Sequence, residues 1–260
     1  MTRTLLLATA ASVALAGGAL AAPAVGLVGD RTLVMFDTET LAVSGTMDVT
    51  GVEMLAGIDL RPADNTLIGV TTDNVVVVID VATGEATELS TMDVPLPMDG
   101  GPVVVDFNPM ADRLRYMTGT TNHRVDVDTG EVTVDGSLAF EEADANAGGA
   151  PDIVAAAYTD SFGKPEATAM YDIDATLGAL VRQTSPNDGT LATVGMLGEA
   201  AVGASYAFDV QTTADGENTA WLVTGTTLSR VDLETGAATV MGEIEGAGGD
   251  IRDVAILPEG

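Results

Sequence analysis

A short hairpin motif recurs along the chain and limits its fold more than any other feature. The copies are Ile79–Thr87, Val125–Thr133 and Val231–Thr239, with a looser one at Phe36–Leu41. Each reads as a strand, a turn that begins with Asp and contains Thr, and a return strand; the three clear copies also carry Gly in the turn. Asp starts such a turn by accepting backbone hydrogen bonds, and Gly takes the positive φ that it requires. Gly84 and Gly130 are 46 residues apart. An all-β unit with this spacing predicts a β-propeller.

A second element precedes the hairpins and is typical of the innermost strand of a propeller blade. Its clearest copies are Gly57–Pro62 and Val104–Pro109, and weaker ones are Ala156–Thr159 and Tyr206–Val210. After each copy come a polar turn, one more strand and the hairpin, which together make the four strands of a blade.

The two ends of the chain complement each other. Residues 31–48 contain only the later strands of a unit, and residues 251–258 are an innermost strand with nothing after it. Pairing them removes an open sheet edge. We therefore predict an all-β, five-bladed β-propeller closed by pairing of the C-terminal strand with the N-terminal strands. A two-sheet sandwich is the alternative, but it does not explain the repeat.

The N-terminal segment is typical of a secretory signal peptide. Arg3 precedes an apolar, Ala-rich stretch, and small residues at Ala21 and Ala22 offer a cleavage site. We expect a signal peptide over residues 1–22, a single propeller domain over residues 23–260, and a periplasmic or secreted protein.

Composition excludes several classes of function. The formal net charge is −29, from 39 acidic and 10 basic side chains, so nucleic acid and anionic membranes are disfavoured as partners. We expect no membrane insertion and no nucleic-acid binding. With no Cys and one His, the usual zinc, copper and haem sites lack ligands. The acidity favours a cation or a basic partner, or is an adaptation to salty surroundings.

Several motifs resemble one known family. Residues Val105–Arg115 read V-D-F-N-P-M-A-D-R-L-R and resemble the signature of a secreted bacterial family, the domain of unknown function 4394 family. Further matching segments are Asp144–Gly148, Ala155–Thr159, Tyr171–Asp174 and Pro186–Leu191. The resemblance covers essentially the whole chain after the signal peptide. It implies a propeller-type domain of uncharacterised activity and supplies no catalytic residues.

The connections that lead into the innermost strands are acidic and rich in Gly and Ala. In a propeller they gather at one mouth of the central channel, where carboxylates, carbonyls and one amide could surround a hard cation such as calcium. The candidate metal ligands are Asp99, Asp144, Asn146 and Asp250. The alternative is that these are simply exposed acidic loops. Calcium is the one cofactor that the sequence suggests.

Candidate ligand-binding residues come from the family motif and the same connections. They are Asp106, Asn108, Arg113, Arg115, Asp144, Asn146 and Tyr158. Arg113 and Arg115 alternate along one strand and share a face, so they either neutralise acids between blades or clamp a ligand carboxylate.

The sequence favours a binding or interaction module over an enzyme, because it contains no evident nucleophile, redox ligand or cofactor fingerprint. We expect a monomer whose partner is an unidentified protein or small molecule. The alternative is a calcium- or carboxylate-dependent hydrolase of the glycoside- or lactone-processing type. It would use two converging acids, for example Asp144 and Asp99.

Overall fold

The structure is a computed structural model, and it describes residues 22–98 and 100–258. In chain order the strands of this part are β1 (Pro23–Val28), β2 (Thr32–Asp37), β3 (Val43–Asp48), β4 (Leu55–Arg61), β5 (Thr66–Thr71), β6 (Val75–Ile79), β7 (Ala86–Thr91), β8 (Val104–Asn108), β9 (Arg113–Thr118), β10 (Thr121–Val125), β11 (Val132–Val134), β12 (Ala139–Phe140), β13 (Ile153–Tyr158), β14 (Met170–Asp174), β15 (Ala179–Ser185), β16 (Thr190–Met196), β17 (Tyr206–Thr212), β18 (Asn218–Thr224), β19 (Thr227–Val231), β20 (Ala238–Glu243) and β21 (Ile251–Ile256). A short 3-10 helix spans Gly198–Ala201.

These strands form five sheets, which are the five blades of a β-propeller. From the inside outwards, blade I is β21-β1-β2-β3, blade II is β4 to β7, blade III is β8 to β11, blade IV is β13 to β16 followed by β12, and blade V is β17 to β20. The innermost strands contact one another in the cyclic order β21, β4, β8, β13, β17 and back to β21. The five-bladed propeller predicted from the repeat is therefore confirmed.

Closure occurs within blade I, as the complementary ends of the chain predict. Strand β21 pairs antiparallel with β1, with Ala24 opposite Ile256 and Val28 opposite Ile251. The sequence pattern identifies the first, third and fourth strands of this blade, and β1 is an additional strand between β21 and β2. Ala22, which the sequence assigns to the signal peptide, is fully buried against blade V. Residues 1–21 lie outside the described residues.

Blade IV differs from the others in having a fifth strand. Strand β12 pairs parallel with β16 at its outer edge, with Phe140 opposite Leu191. Nothing in the sequence pattern predicts this strand, because a two-residue segment carries no measurable periodicity.

The hairpin turns have the predicted chemistry, and they also contact neighbouring blades. In the turn after β6, Oδ1 of Asp80 accepts hydrogen bonds from the backbone N–H groups of Ala82 and Thr83 at 2.8 and 3.2 Å, and Gly84 has φ +74°. The carbonyl of Gly84 accepts a hydrogen bond from the N–H of Thr50, which follows the outermost strand of blade I. This turn therefore ties blade II to blade I.

The hydrophobic core is divided among the five blade junctions, with one buried cluster at each. Strands such as β6, a run of Val and Ile, suit these sites because β-branched side chains pack well on a pleated surface. Burial decreases outwards: every residue of β13 is buried, whereas β3 alternates between half-buried and exposed. Among the described residues, no helix has the length and apolar character needed to cross a membrane.

Candidate functional site

Four aspartates lie on innermost strands and face the central channel of the propeller. They are Asp253 in blade I, Asp59 in blade II, Asp106 in blade III and Asp209 in blade V, and we call them the channel aspartates. All four are at least nine-tenths buried. The free edge of each innermost strand carries backbone N–H groups without a strand partner, and a buried N–H requires an acceptor. The channel aspartates supply it.

Three of them share one hydrogen-bonding pattern. One oxygen accepts from the N–H of the next residue, and the other accepts from an N–H on the innermost strand of the neighbouring blade. Asp209 accepts from Val210 and Ile256, both at 2.6 Å. Asp59 accepts from Leu60 and Phe107, both at 2.7 Å, and Asp253 accepts from Val254 at 3.0 Å and Ile58 at 2.7 Å.

Asp106 departs from this pattern. Its Oδ1 accepts from the N–H of Tyr158 in blade IV at 2.8 Å. No donor among the described residues reaches its Oδ2. Blade IV itself has Ala157 beside Tyr158 and contributes no carboxylate to the channel. The polar ring is therefore incomplete between blades IV and V.

The carboxylates of Asp59, Asp106 and Asp209 converge, and each offers an oxygen within 4.8 Å of the others. No ion pair among the described residues includes a channel aspartate. The nearest cation along the chain, Arg252, instead donates to backbone carbonyls such as those of Ala56 and Gly29 at 2.9 and 2.7 Å.

Burial and mutual repulsion disfavour the ionised forms of these groups. Burial raises the pKa of Asp209 to about 6 and that of Asp253 to about 8. The pKa values of Asp59 and Asp106 are raised well above 3.8, first by burial and then by the neighbouring carboxylates. Binding of a proton or a cation would therefore stabilise these acids in the channel.

A cleft opens at the mouth of the channel where the innermost strands end. Its volume is about 580 Å³, and it lies between the ends of β4, β17 and β21 and the loop over residues 161–163. Asp59 and Asp209, which are buried, form its floor. Leu60, Val210 and Ile256 contribute apolar wall. This volume is within the usual range for small-molecule sites.

The loop that borders the cleft is fixed by a polar network between blades IV and V. The N–H of Ser161 donates to Oγ1 of Thr212 at 2.8 Å, and Asp160 exchanges two hydrogen bonds with Asn218, each at 3.0 Å. Asp160 has φ +61°, an uncommon conformation that these contacts hold in place. The loop carries Phe162 to the rim, where its side chain is 51% exposed.

The predicted metal ligands are not brought together in the described part of the chain. Asp144 accepts hydrogen bonds from the N–H groups of Asn146 and Thr193 at 2.7 and 2.6 Å, and Asn146 donates to Thr193 Oγ1. Thr193 belongs to β16, three strands away from the channel. Asp250 is exposed, directly precedes β21 and lies beside Gly225 of blade V, and Asp99 lies outside the described residues.

Two of the predicted ligand-binding residues, Asn108 at the end of β8 and Arg113 at the start of β9, have partners within blade III. Asn108 caps its own turn, accepting from the N–H groups of Met110 and Ala111. Arg113 forms an ion pair with Asp126 at 2.9 Å.

Arg115 and Tyr158 belong to a buried network between blades III and IV. Arg115 donates to the Tyr158 hydroxyl at 3.2 Å and pairs with Asp135 at 2.8 Å. Asp135 follows β11 and belongs to the same blade as Arg115, whereas the hydrogen bonds of Arg115 to Tyr158 and Asn187 reach blade IV. Of all the predicted ligand-binding residues, only Asp106 belongs to the channel group.

The sequence reasoning missed Asp59, Asp209 and Asp253, and the signal was present. Asp recurs at the centre of the innermost-strand motif, in G-I-D-L-R-P, V-D-F-N-P, A-F-D-V and R-D-V-A. A buried strand that repeatedly carries Asp is unusual, because strands disfavour this residue. The recurrence indicates that the Asp side chain has a specific role in each strand, and the structure places these side chains in the channel.

The fold and this site define the class of the molecule: a five-bladed β-propeller with an acid-lined axial channel and a cleft at one mouth. The family model described as a domain of unknown function, DUF4394, matches residues 32–255, and the chain belongs to this family. The resemblance noted in the sequence is thereby confirmed. No curated protein sequence matches the chain significantly.

Several solved structures are similar to this chain at low sequence identity. A structural genomics protein of unknown function from Bacteroides thetaiotaomicron VPI-5482 is 16% identical with a TM-score of 0.51, over 89% of this chain and 63% of that one. An auxiliary nutrient binding protein from the same organism is 14% identical, with a TM-score of 0.49 over 89% and 58% of the two chains. Another, from Bacteroides ovatus ATCC 8483, is 11% identical, with a TM-score of 0.48 over 88% and 57%. The present chain therefore spans less than two thirds of the length of each of these proteins.

Proposed function

We propose that this propeller is a binding module that holds a small molecule in the cleft over the channel aspartates. The observation that carries the proposal is the cleft itself, a 580 Å³ space that combines apolar walls with two buried carboxylates at its floor. Largely apolar concavities with a few convergent polar groups are the usual form of small-molecule sites. The incomplete channel ring between blades IV and V lies next to it.

The described residues around the cleft favour binding over catalysis. Both oxygens of Asp59 and both oxygens of Asp209 accept backbone hydrogen bonds. A carboxylate held in this way on both oxygens is poorly placed to move towards a substrate as a nucleophile or general base. A hydrolase with Asp144 and Asp99 as its catalytic acids stays an untested alternative. Asp144 does not line the cleft and accepts a hydrogen bond from Thr193 of the outer strand β16.

Export remains part of the proposal, and calcium is the alternative to a small molecule at the channel aspartates. The expected signal peptide would make this a periplasmic or secreted binding protein. The sequence placed calcium at Asp99, Asp144, Asn146 and Asp250. The alternative here uses Asp59, Asp106 and Asp209 instead, each of which offers an oxygen within 4.8 Å of the others. Calcium takes six to eight oxygens and would need water or ligand atoms to complete its shell.

The experiment is a binding screen of the wild type and two variants. Ala63→Trp places an indole in the cleft, and Met110→Trp places the same group at the corresponding turn of blade III, outside the cleft. A thermal-shift panel of amines, amino acids, sugars, carboxylates and calcium chloride should yield at least one compound that stabilises the wild type and Met110→Trp but not Ala63→Trp. Equal stabilisation of all three proteins by every active compound would overturn the proposal.

A further inference from the structure

We infer that the ligand of the cleft is an organic cation, an amine with an apolar body whose ammonium group lies at the floor against Asp59 and Asp209. This inference rests on the proposed function and specifies its ligand class. It depends on three features of the cleft: the charge of its floor, the character of its walls, and the way in which its carboxylates are already engaged.

The charge of the floor selects against anions. Asp59 and Asp209 are the only titratable groups among the described residues that line the cleft. Asp106 lies behind them, with one oxygen within 4.8 Å of theirs. An anionic ligand would bring a like charge against these groups in a site shielded from water, where Coulomb interactions are strongest. A cation would relieve the repulsion that already exists among the three acids.

Several other charged groups surround Asp209, and none of them removes this preference. Asp59 on β4, Asp106 on β8 and Asp253 on β21 face the same channel, and none of them supplies a positive charge. Arg252 on β21 donates its guanidinium hydrogens to backbone carbonyls. Lys164 follows the rim loop and is exposed, outside the residues that line the cleft.

The walls distinguish an organic cation from a bare metal ion. Leu60, Val210 and Ile256 present apolar surface above the acids. Phe162 stands exposed at the rim, where its ring can cover an apolar group or contact a cation through its face. A metal ion would leave this surface and most of the volume without a partner, whereas an amine with an apolar body would fill both.

The floor also offers acceptors in a suitable geometry. Each oxygen of Asp59 and Asp209 accepts one backbone hydrogen bond, and a carboxylate oxygen has a second acceptor position. An ammonium group has three donors and no acceptor, so it can use those positions without displacing the backbone contacts. A guanidinium or amidinium group has the same capability and belongs to the same class.

The test is isothermal titration with benzylammonium, benzyl alcohol and benzoate, which have similar shapes and charges of +1, 0 and −1. All titrations use the same sodium chloride concentration, so that the acidic surface is equally screened. We expect saturable one-to-one binding of benzylammonium, about tenfold or more tighter than benzyl alcohol, and no binding of benzoate.

Two variants locate the binding. Asp209→Asn removes a carboxyl group from the floor. Asp253→Asn removes a carboxyl group that has the same kind of backbone contacts but does not line the cleft. Asp209→Asn should weaken benzylammonium binding about tenfold, and Asp253→Asn by no more than about threefold. If Asp209→Asn fails to fold, Phe162→Ala on the exposed rim replaces it, with the same direction of effect.

The failures of the inference are distinguishable from one another. Equal binding of benzyl alcohol and benzylammonium would overturn the inference while leaving a small-molecule cleft in place. Calcium binding that excludes benzylammonium and is lost in Asp209→Asn would overturn it in favour of a metal ion. Absence of benzylammonium binding would overturn it outright, and the proposed function would then depend on the Ala63→Trp comparison.

Discussion

Oδ2 of Asp253 accepts a hydrogen bond from the backbone N–H of Ile58 at 2.7 Å, across the junction of blades I and II and between residues 195 positions apart. The same carboxylate binds the N–H of Val254. One side chain therefore satisfies two edge N–H groups and joins the C-terminal strand to the next blade. Its position explains why a buried strand that closes the propeller carries an acid.

Asp253→Ala should destabilise the protein at pH 5. The substitution leaves the N–H groups of Ile58 and Val254 without their acceptor, at a cost of about 1–3 kcal/mol for each buried donor. Asp253→Asn is the matched control, because it is nearly isosteric with the protonated acid and retains one acceptor. Urea unfolding monitored by tryptophan fluorescence measures both. Equal stability of Asp253→Ala and the wild type would show that water replaces the carboxyl group without penalty.

Deletion of residues 251–260 should abolish closure. Without β21, blade I loses its innermost strand, and the free edge of β1 is exposed next to the channel. We expect loss of the cooperative thermal transition or aggregation. A synthetic peptide of residues 251–258 added to the truncated chain should restore the transition by pairing with β1. A truncated chain that melts like the full one would contradict closure by β21.

Gly130→Ala should cost more stability than Gly216→Ala. Both glycines have positive φ, +76° and +81°, so both substitutions introduce backbone strain. A Cβ on Gly130 would also lie 2.1 Å from the carbonyl oxygen of Thr91 in blade II, whereas one on Gly216 would meet nothing within 4 Å. We expect about 1 kcal/mol for Gly216→Ala and clearly more for Gly130→Ala, measured by urea unfolding. Equal losses of stability would mean that the junction of blades II and III adjusts to the added Cβ with no loss of unfolding free energy.

Stability should fall as the pH rises from 5 to 8. Folding raises the pKa values of the channel residues Asp209 and Asp253 from 3.8 to about 6 and 8. It also raises that of Asp172, which is buried in β14 of blade IV, to about 7. Between these limits the folded protein retains protons that the unfolded chain has released, so the unfolding free energy decreases with increasing pH. Each tenfold change in a proton-binding constant corresponds to about 1.4 kcal/mol, and we expect a loss of several kcal/mol in total.

The measurement is urea unfolding at pH 5 and pH 8 in high salt, which screens repulsion between surface charges far more than between buried ones. Asp209→Asn should reduce the difference in unfolding free energy between pH 5 and pH 8. Folding lowers the pKa values of acids such as Asp37 and Asp128, so these acids act in the opposite direction, and only below their ordinary pKa of 3.8, where the unfolded chain binds protons first. Greater stability at pH 8 than at pH 5 would contradict the burial of unpaired acids in the channel.

The sequence predicted the fold well because the fold is repetitive. Hairpins with Asp80 and Gly84 at fixed positions identify the outer strands, and the unmatched terminal segments reveal the closure. The sequence pattern did not identify β1, because it directly follows an apolar, Ala-rich stretch of similar composition, or β12, because it is two residues long. The local signals were therefore sufficient for topology but not for every strand.

The candidate site was much harder to predict. Asp106 was identified through its family motif, but Asp59 and Asp209 lie 150 residues apart in sequence and converge only when the ring closes. The metal site was predicted at acidic loops such as the one with Asp144. A sequence shows how many carboxylates a loop carries, but it does not show which carboxylates are buried. The cleft depends on the shape of three loops and has no local signal at all.

The channel aspartates can be observed directly by a ¹³C NMR titration of the side-chain carboxyl carbons, with and without benzylammonium. If the channel holds buried, unpaired acids that accept a cation, Asp209 should titrate near pH 6 and Asp253 near pH 8 in the free protein. Bound benzylammonium should shift the titration of Asp209 to lower pH, because a cation favours the ionised form. If every carboxyl group titrates near 4 and benzylammonium shifts none of them, the acid-floored cleft is not a cation site.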